Sequence, residues 1–184
     1  MEGPTASDYD EKLREMGNYL WELDQEGDIA HQEGDEFRLG EIEKKIERIA
    51  ARAAHFRDVD GPHRLLAGLV NGLALRMLQR WEDAAQAFLD VLDENPENGE
   101  AWLELTWCLS EMGKWQDAEL AARKGTEFFP EVSGAWGNLA QVLLRLGKRD
   151  EAREVLEKAI HLDPKDRRNQ DLMRQVREEG KREC

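Results

Sequence analysis

The chain has 184 residues, a formal net charge of −14 and two cysteines, which together exclude several classes of protein. A strongly acidic surface repels nucleic acid and anionic membranes, so neither is expected as a partner. Cys108 and Cys184 match no disulfide framework and no metal-ligand spacing, which favours reduced thiols and a cytoplasmic location. We expect no signal peptide, because the N-terminal residues are acidic and lack an apolar core, and no membrane span, because the most apolar stretch, residues 65–78, is too short.

Two amphipathic helices are predicted before residue 60. Apolar residues spaced three and four apart predict a first helix over about 7–25, which the glycines and acids of residues 27–35 should end. A second stripe predicts a helix over about 36–57, and Gly61 and Pro62 are suited to stop it. We interpret residues 1–60 as a two-helix N-terminal extension.

From residue 63 onward, the sequence repeats with a period of 34 residues. The residues that keep this interval are Pro96, Pro130 and Pro164; Ala84, Ala118 and Ala152; Trp102 and Trp136; and Gly113 and Gly147. A period of this length is typical of stacked helix–turn–helix units. It predicts helix pairs over about 63–78/81–94, 99–112/115–128 and 133–146/149–162, followed by a ninth helix over about 166–179.

The last unit resembles a tetratricopeptide repeat almost throughout. Its matching residues are Trp136, Leu139, Ala140, Gly147, Ala152, Leu156, Ala159 and Pro164. The middle unit matches through Trp102, Leu105, Gly113, Ala118 and Pro130; the first matches through Gly72, Ala84, Phe88 and Pro96, with Gly68 in place of the leading aromatic residue. The resemblance implies an all-α, right-handed solenoid: three units at about 65–98, 99–132 and 133–166 in a domain of residues 61–164, and a capping helix within residues 165–184.

No residue pattern points to catalysis, a metal or a cofactor. The four histidines form no His-x-x-x-His pair, and none lies beside a cysteine at ligand spacing. Phosphate-binding loops, nucleophile elbows and zinc-protease motifs are absent from the sequence. Cys108 is interpreted as a small buried apolar residue. We therefore expect a non-enzymatic protein.

A binding surface is expected instead. In the family, the first helix of each pair lines a concave groove. Projected onto this sequence, that rule gives eight candidate partner-binding residues: Leu69, Leu73, Arg76, Leu103, Trp107, Ser110, Gln141 and Leu144. The Lys/Arg/Asn clamp by which some members hold a C-terminal carboxylate has leucines and a tryptophan in its place, so the groove is expected to be apolar in its N-terminal half.

Helix 63–78 is apolar around nearly its whole circumference, and such a helix must be covered on all sides. The cover could come from the second helix, through Ile42, Ile46, Ile49 and Phe56, from a partner, or from a second copy bound through the N-terminal helices. These alternatives leave open whether the groove is filled or free.

Two functions from different classes fit these observations. The first is an interaction adaptor that binds a basic or apolar protein segment on the concave surface or on acidic regions such as residues 82–119, with eleven acids and one base. The second is a small chaperone, because the size, acidity and layout are similar to those of chaperones for type III secretion translocators. A subunit of a larger enzyme complex is a third alternative.

Overall fold

The computed structural model describes residues 6–58, 61 and 63–182, so Pro62 and Cys184 lie outside the described residues. Within this part of the chain there are nine α-helices and no strand, which confirms the predicted all-α repeat fold. The chain divides into two compact units, Met1–Pro96 and Glu97–Cys184, here called the first and the second unit. The repeat therefore does not coincide with one compact unit: one helix pair lies in the first unit and two lie in the second.

The first unit contains four helices: α1 Ala6–Glu33, α2 Glu36–Arg57, α3 Arg64–Met77 and α4 Trp81–Glu94. The predicted end of α1 near residue 25 is wrong, because the helix continues through Gly27 to Glu33. A glycine inside a helix costs about 1 kcal/mol, but the extra turns bury Ala30 completely. The helix ends at Gly34, whose φ is +70°, and Asp35 then caps α2 by accepting a hydrogen bond from the Arg38 amide at 3.0 Å.

Helix α3 is covered by α1, α2 and α4 of its own unit. The four α2 side chains proposed to cover it, Ile42, Ile46, Ile49 and Phe56, are buried. A buried hydrogen bond of 2.9 Å from Asn71 Nδ2 to the Ala50 carbonyl also joins α3 to α2. On the other side, α4 approaches closely, since a Cβ at Gly72 would lie 2.6 Å from the Phe88 ring.

The second unit contains five helices: α5 Gly99–Glu111, α6 Trp115–Phe128, α7 Ser133–Arg145, α8 Arg149–Leu162 and α9 Arg167–Arg182. Ala118 and Ala152 are completely buried, and Gly113 and Gly147 lie in turns with φ of +70° and +75°, as the period predicted. The Trp136 ring packs on a cluster that includes Ala122 of the preceding helix pair. Helix α9 buries Met173 and Val176 against Ala140 and Leu156.

An ion-pair network connects α6 to the start of α8. Glu119 accepts hydrogen bonds from Lys148 Nζ, at 2.7 and 2.6 Å, and from Arg123 Nη2 at 2.7 Å. The Glu119 side chain is only 12% exposed. The hydrogen bond from Lys148 contributes most to lowering the pKa of Glu119, burial opposes this, and Arg123 lowers the pKa further.

Candidate peptide-binding site

A pocket of about 240 Å³, here called the second-unit pocket, lies between α5, α7 and α9. Its lining residues are Thr106, Trp107, Ser110, Glu111, Asn138, Gln141 and Arg168. Three of the eight candidates from the sequence, Trp107, Ser110 and Gln141, thus come together at one site. They do so because α5 and α7 are the first helices of consecutive pairs, and their inner faces are adjacent.

The α5 side of the pocket presents one large, half-exposed side chain, that of Trp107. Ser110 Oγ donates to the Thr106 carbonyl, and Thr106 Oγ1 donates to the Trp102 carbonyl, both at 2.8 Å. These hydroxyl groups are therefore occupied within their own helix. Trp107 is 46% exposed, so its ring is the main surface that α5 offers to a ligand.

Arg168 on α9 is held in place by two amide side chains of α7. Its Nη1 donates to Asn138 Oδ1 at 3.1 Å, and its Nη2 donates to Gln141 Oε1. Both acceptors are neutral, and Arg168 forms no ion pair with another described residue. The pocket therefore contains a guanidinium group in no direct ion pair with a described carboxylate, and the Glu111 side chain of α5 also lines it.

The other five candidates do not line this pocket. Leu103 packs on α6, where a Cβ at Gly125 would lie 2.8 Å from Leu103 Cδ2. Leu144 packs on two buried clusters, one that α7 forms with α6 and α8 and one that it forms with α8 and α9. Leu69, Leu73 and Arg76 are half-buried on α3 and belong to the first unit.

Sequence reasoning missed four of the seven lining residues: Thr106, Glu111, Asn138 and Arg168. Asn138 precedes Gln141 by three residues, so it lies on the same face of α7 and could have been included. Arg168 was missed because α9 was interpreted only as a cap. However, α5, α7 and α9 begin at Gly99, Ser133 and Arg167, and this constant interval of 34 residues places α9 as the first helix of a further unit.

The described residues show neither a metal-binding cluster nor a membrane-spanning helix. Their His, Cys, Asp and Glu side chains form no group of three that could hold a metal ion. No helix in the described ranges combines the length and the hydropathy needed to cross a bilayer. Cys108 is completely buried, as predicted from its position beside Trp107.

The repeats match models of a known family. Two family models, both described as "Tetratricopeptide repeat", match residues 75–131 and 133–166. The chain is a tetratricopeptide-repeat protein. No curated protein matches this tetratricopeptide-repeat chain in sequence.

Solved structures resemble the tetratricopeptide-repeat chain at low identity. The second such domain of human RPAP3, in complex with the HSP70 peptide SGPTIEEVD, has a TM-score of 0.61 at 17% identity, over 64% of this chain and 98% of that one. The Yersinia enterocolitica type III secretion chaperone SycD, in complex with a peptide of the translocator YopD, has a TM-score of 0.61 at 17% identity, over 65% and 97%. The Sgt2 domain of Aspergillus fumigatus has a TM-score of 0.61 at 18% identity, over 67% and 82%. At these identities the likeness is one of fold.

Proposed function

We propose that the chain is a non-enzymatic adaptor that binds a peptide segment of another protein in the second-unit pocket. The observation that supports this most directly is that one pocket is lined by the half-exposed Trp107 ring and by Arg168, whose guanidinium group is held by two neutral amides. The acidic composition and the buried thiol of Cys108 are in keeping with a cytoplasmic location.

Binding would cover the exposed part of Trp107 with an apolar side chain of the peptide. Covering a large aromatic side chain contributes roughly 1–3 kcal/mol. The oxygens of Asn138 and Gln141 accept from Arg168, so their NH₂ groups are the donors that remain for a peptide carbonyl. The site therefore offers one apolar contact and two donors, which suits an extended peptide.

Opposite charges in the pocket would set the direction of the peptide. Arg168 favours an acidic residue of the peptide, and Glu111 favours a basic one. The solved complexes of the RPAP3 domain and of SycD both contain a peptide, which supports a peptide as the ligand of this chain too. We expect a segment with a central apolar residue between side chains of opposite charge.

The test starts from affinity capture with the full chain, followed by titration of the captured protein's binding segment as a synthetic peptide. Trp107→Ala and Arg168→Gln should each weaken binding of that peptide by about tenfold. Leu120→Ala is the matched control, because Leu120 is an exposed apolar residue on α6 outside the pocket. Equal affinity of wild type and the Trp107→Ala/Arg168→Gln double variant would contradict the proposal.

A holding chaperone is the second candidate function. It is favoured by large apolar side chains open to solvent on the N-terminal helices, with Trp21 68% and Phe37 81% exposed, and by the fold of SycD. A chaperone would suppress aggregation of an apolar client segment, and Trp21→Ser with Phe37→Ser would remove this effect. Sedimentation of the same variants tests whether these residues instead form a homodimer.

A further inference from the structure

A separate groove of about 430 Å³, here called the first-unit groove, lies between α1, α2 and the turn that joins α3 to α4. Its floor consists of six apolar side chains: Leu23, Leu39, Ile42, Ile46, Met77 and Leu78. Leu23, Ile42 and Ile46 are buried in the core, whereas the other three are half-buried. The half-buried three therefore supply the apolar surface that a ligand would meet.

The rim of this groove is acidic. Asp24 and Asp28 of α1 and Glu43 of α2 line it, are exposed, and form no ion pair with another described residue. The nearby bases Arg38 and Lys45 both pair with Glu26 instead. Three carboxylates thus surround an apolar floor, His31 is the single basic side chain of the lining, and no described lysine or arginine lines the groove. This combination favours a ligand that is both apolar and cationic.

A strained residue also lines the first-unit groove. Gln79, in the turn between α3 and α4, has φ of +57°, whereas Gly113 and Gly147 occupy the same position in the second unit. Glycine adopts this conformation without strain, and a glutamine does not. Strained backbone is often found where a side chain has a functional task, so the Gln79 amide is a candidate ligand contact.

The first unit has another groove of about 450 Å³, between α2 and α4, that lacks these properties. Its apolar lining residues are four alanines and Leu75. Four of its five charged side chains are paired within the unit, Arg57 with Asp90 at 2.9 Å and Arg80 with Asp83 at 2.6 Å, which leaves Glu47 as its single carboxylate unpaired with a described residue, against three in the first-unit groove. Groove size alone therefore does not distinguish the two; the apolar floor and the free carboxylates do.

We propose that the first-unit groove is a second docking site, and that its occupant is a basic amphipathic segment of another protein. An apolar side chain such as leucine, methionine or phenylalanine contacts Leu39, Met77 and Leu78. Flanking lysines or arginines pair with Asp24, Asp28 and Glu43, and Gln79 bonds to the peptide backbone. This site is independent of the second-unit pocket, so one chain binds two segments.

The charge contribution is tested with a short synthetic amphipathic helix of leucine and lysine, titrated into the full chain. Amide NMR shifts should change in α1, α2 and residues 77–79. Neutralising the rim with Asp24→Asn, Asp28→Asn and Glu43→Gln should weaken binding about tenfold and reduce its dependence on salt. The control is Glu22→Gln, Glu82→Gln and Asp93→Asn, which removes the same charge from exposed acids outside the groove. A leucine–glutamate helix should not bind.

The shape of the groove is tested by filling it at Gly27, which lines it and has no atom near its missing Cβ. Gly27→Leu adds bulk and raises helix propensity, so loss of peptide binding cannot be attributed to unfolding. Gly134→Leu, at an equally open glycine of α7, is the control. Gln79→Gly should raise the Tm and still weaken peptide binding severalfold; a residue with only a structural role would change the Tm alone.

Three outcomes would overturn the proposal. One is unchanged peptide affinity in both the rim variant and Gly27→Leu. Another is a set of NMR shifts confined to α5, α7 and α9, which would assign the peptide to the second-unit pocket. The third is a concentration-dependent dimer of the wild type that Gly27→Leu disrupts, because a second copy would then occupy the groove.

Discussion

The two units bury their helix pairs with the same small residues but complete their cores differently. Ala84, Ala118 and Ala152 are all completely buried, one in each pair. The second unit adds α9, which continues the 34-residue interval and packs through one face. The first unit instead adds α1 and α2, which lie outside the interval and cover α3. Helix α3 is apolar around nearly its whole circumference, so it needs the cover of two added helices. The second unit is completed by one face of a single terminal helix, α9.

The two units also differ at three single positions of the repeat. Gly68 stands where the second unit has Trp102 and Trp136, and a Cβ at Gly68 would lie 2.5 Å from Val91 Cγ2. The first unit therefore lacks an aromatic side chain at this position, and α3 and α4 approach each other closely there. It also has Gln79 in place of a turn glycine and Ala85 in place of Glu119. Of these three positions, Gln79 lines the first-unit groove.

The largest expected loss of stability comes from deleting α1 and α2, the helices that cover α3. Deleting residues 1–60 exposes the surface that Ile42, Ile46, Ile49 and Phe56 bury, at roughly 1.5–3 kcal/mol for each side chain before the ordering entropy. We expect the remainder to aggregate or to lose α3 and α4, as measured by size exclusion and urea unfolding. A monodisperse remainder with unchanged heat stability would show that α1 and α2 do not support the repeat.

The next largest effect is expected at Ala152, the small buried residue that has a counterpart in each helix pair. Ala152 is completely buried within a cluster that contains Ala122, Leu139 and Leu143. Ala152→Leu should overpack this crossing and lower the free energy of unfolding by about 1–3 kcal/mol. Glu154→Leu, at an exposed position of α8, is the control. Equal urea midpoints for the two variants would rule out a tight crossing at Ala152.

Substitutions in the turn between the two helices of a pair should change the stability of the two units in opposite directions. Gly147→Ala forces a Cβ into φ of +75° and should destabilise the second unit by about 1 kcal/mol. Gln79→Gly removes the corresponding strain and should stabilise the first unit by up to about 1 kcal/mol. Thermal unfolding of the two variants measures both changes. If both variants are destabilised, Gln79 is not under strain.

The smallest effect concerns Glu119, which the first unit replaces with Ala85. Near neutral pH, Glu119→Gln should lower the free energy of unfolding by about 1 kcal/mol, because Lys148 and Arg123 lose a charged acceptor. The pKa of Glu119 in the folded chain lies below its ordinary value of 4.5. The stabilisation is therefore complete above that pH and is lost as the pH falls through the folded pKa.

Urea unfolding of the wild type and the Glu119→Gln variant between pH 7 and pH 3 measures this loss. Glu41→Gln is a suitable control, since Glu41 is exposed and pairs with Lys44 inside one helix. A wild-type advantage that persists unchanged at pH 3 would mean that the Glu119 carboxylate does not stabilise the fold.

Most of the second unit could be predicted from the sequence, and much of the first unit could not. The interval of 34 residues predicted α5 to α8, their turn glycines and the buried Ala118 and Ala152, because each of these roles depends on a local size or backbone preference. The same interval would have identified Gln79 as an exception. The sequence pattern predicted the end of α1 wrongly. Its glycines suggested a break near Gly27, but the helix continues to Glu33 because the extra turns bury Ala30.

The sequence by itself determined the helical class, the repeat and the positions of its small residues, since these follow from periodicity and steric size. Tertiary structure alone decided which faces meet. It brought Arg168 of α9 to Asn138 and Gln141 of α7, and it left Leu103 and Leu144 in the packing. It also gathered Asp24, Asp28 and Glu43 around one apolar floor. Sites of this kind depend on contacts between residues far apart in the chain, and a local pattern does not contain that information.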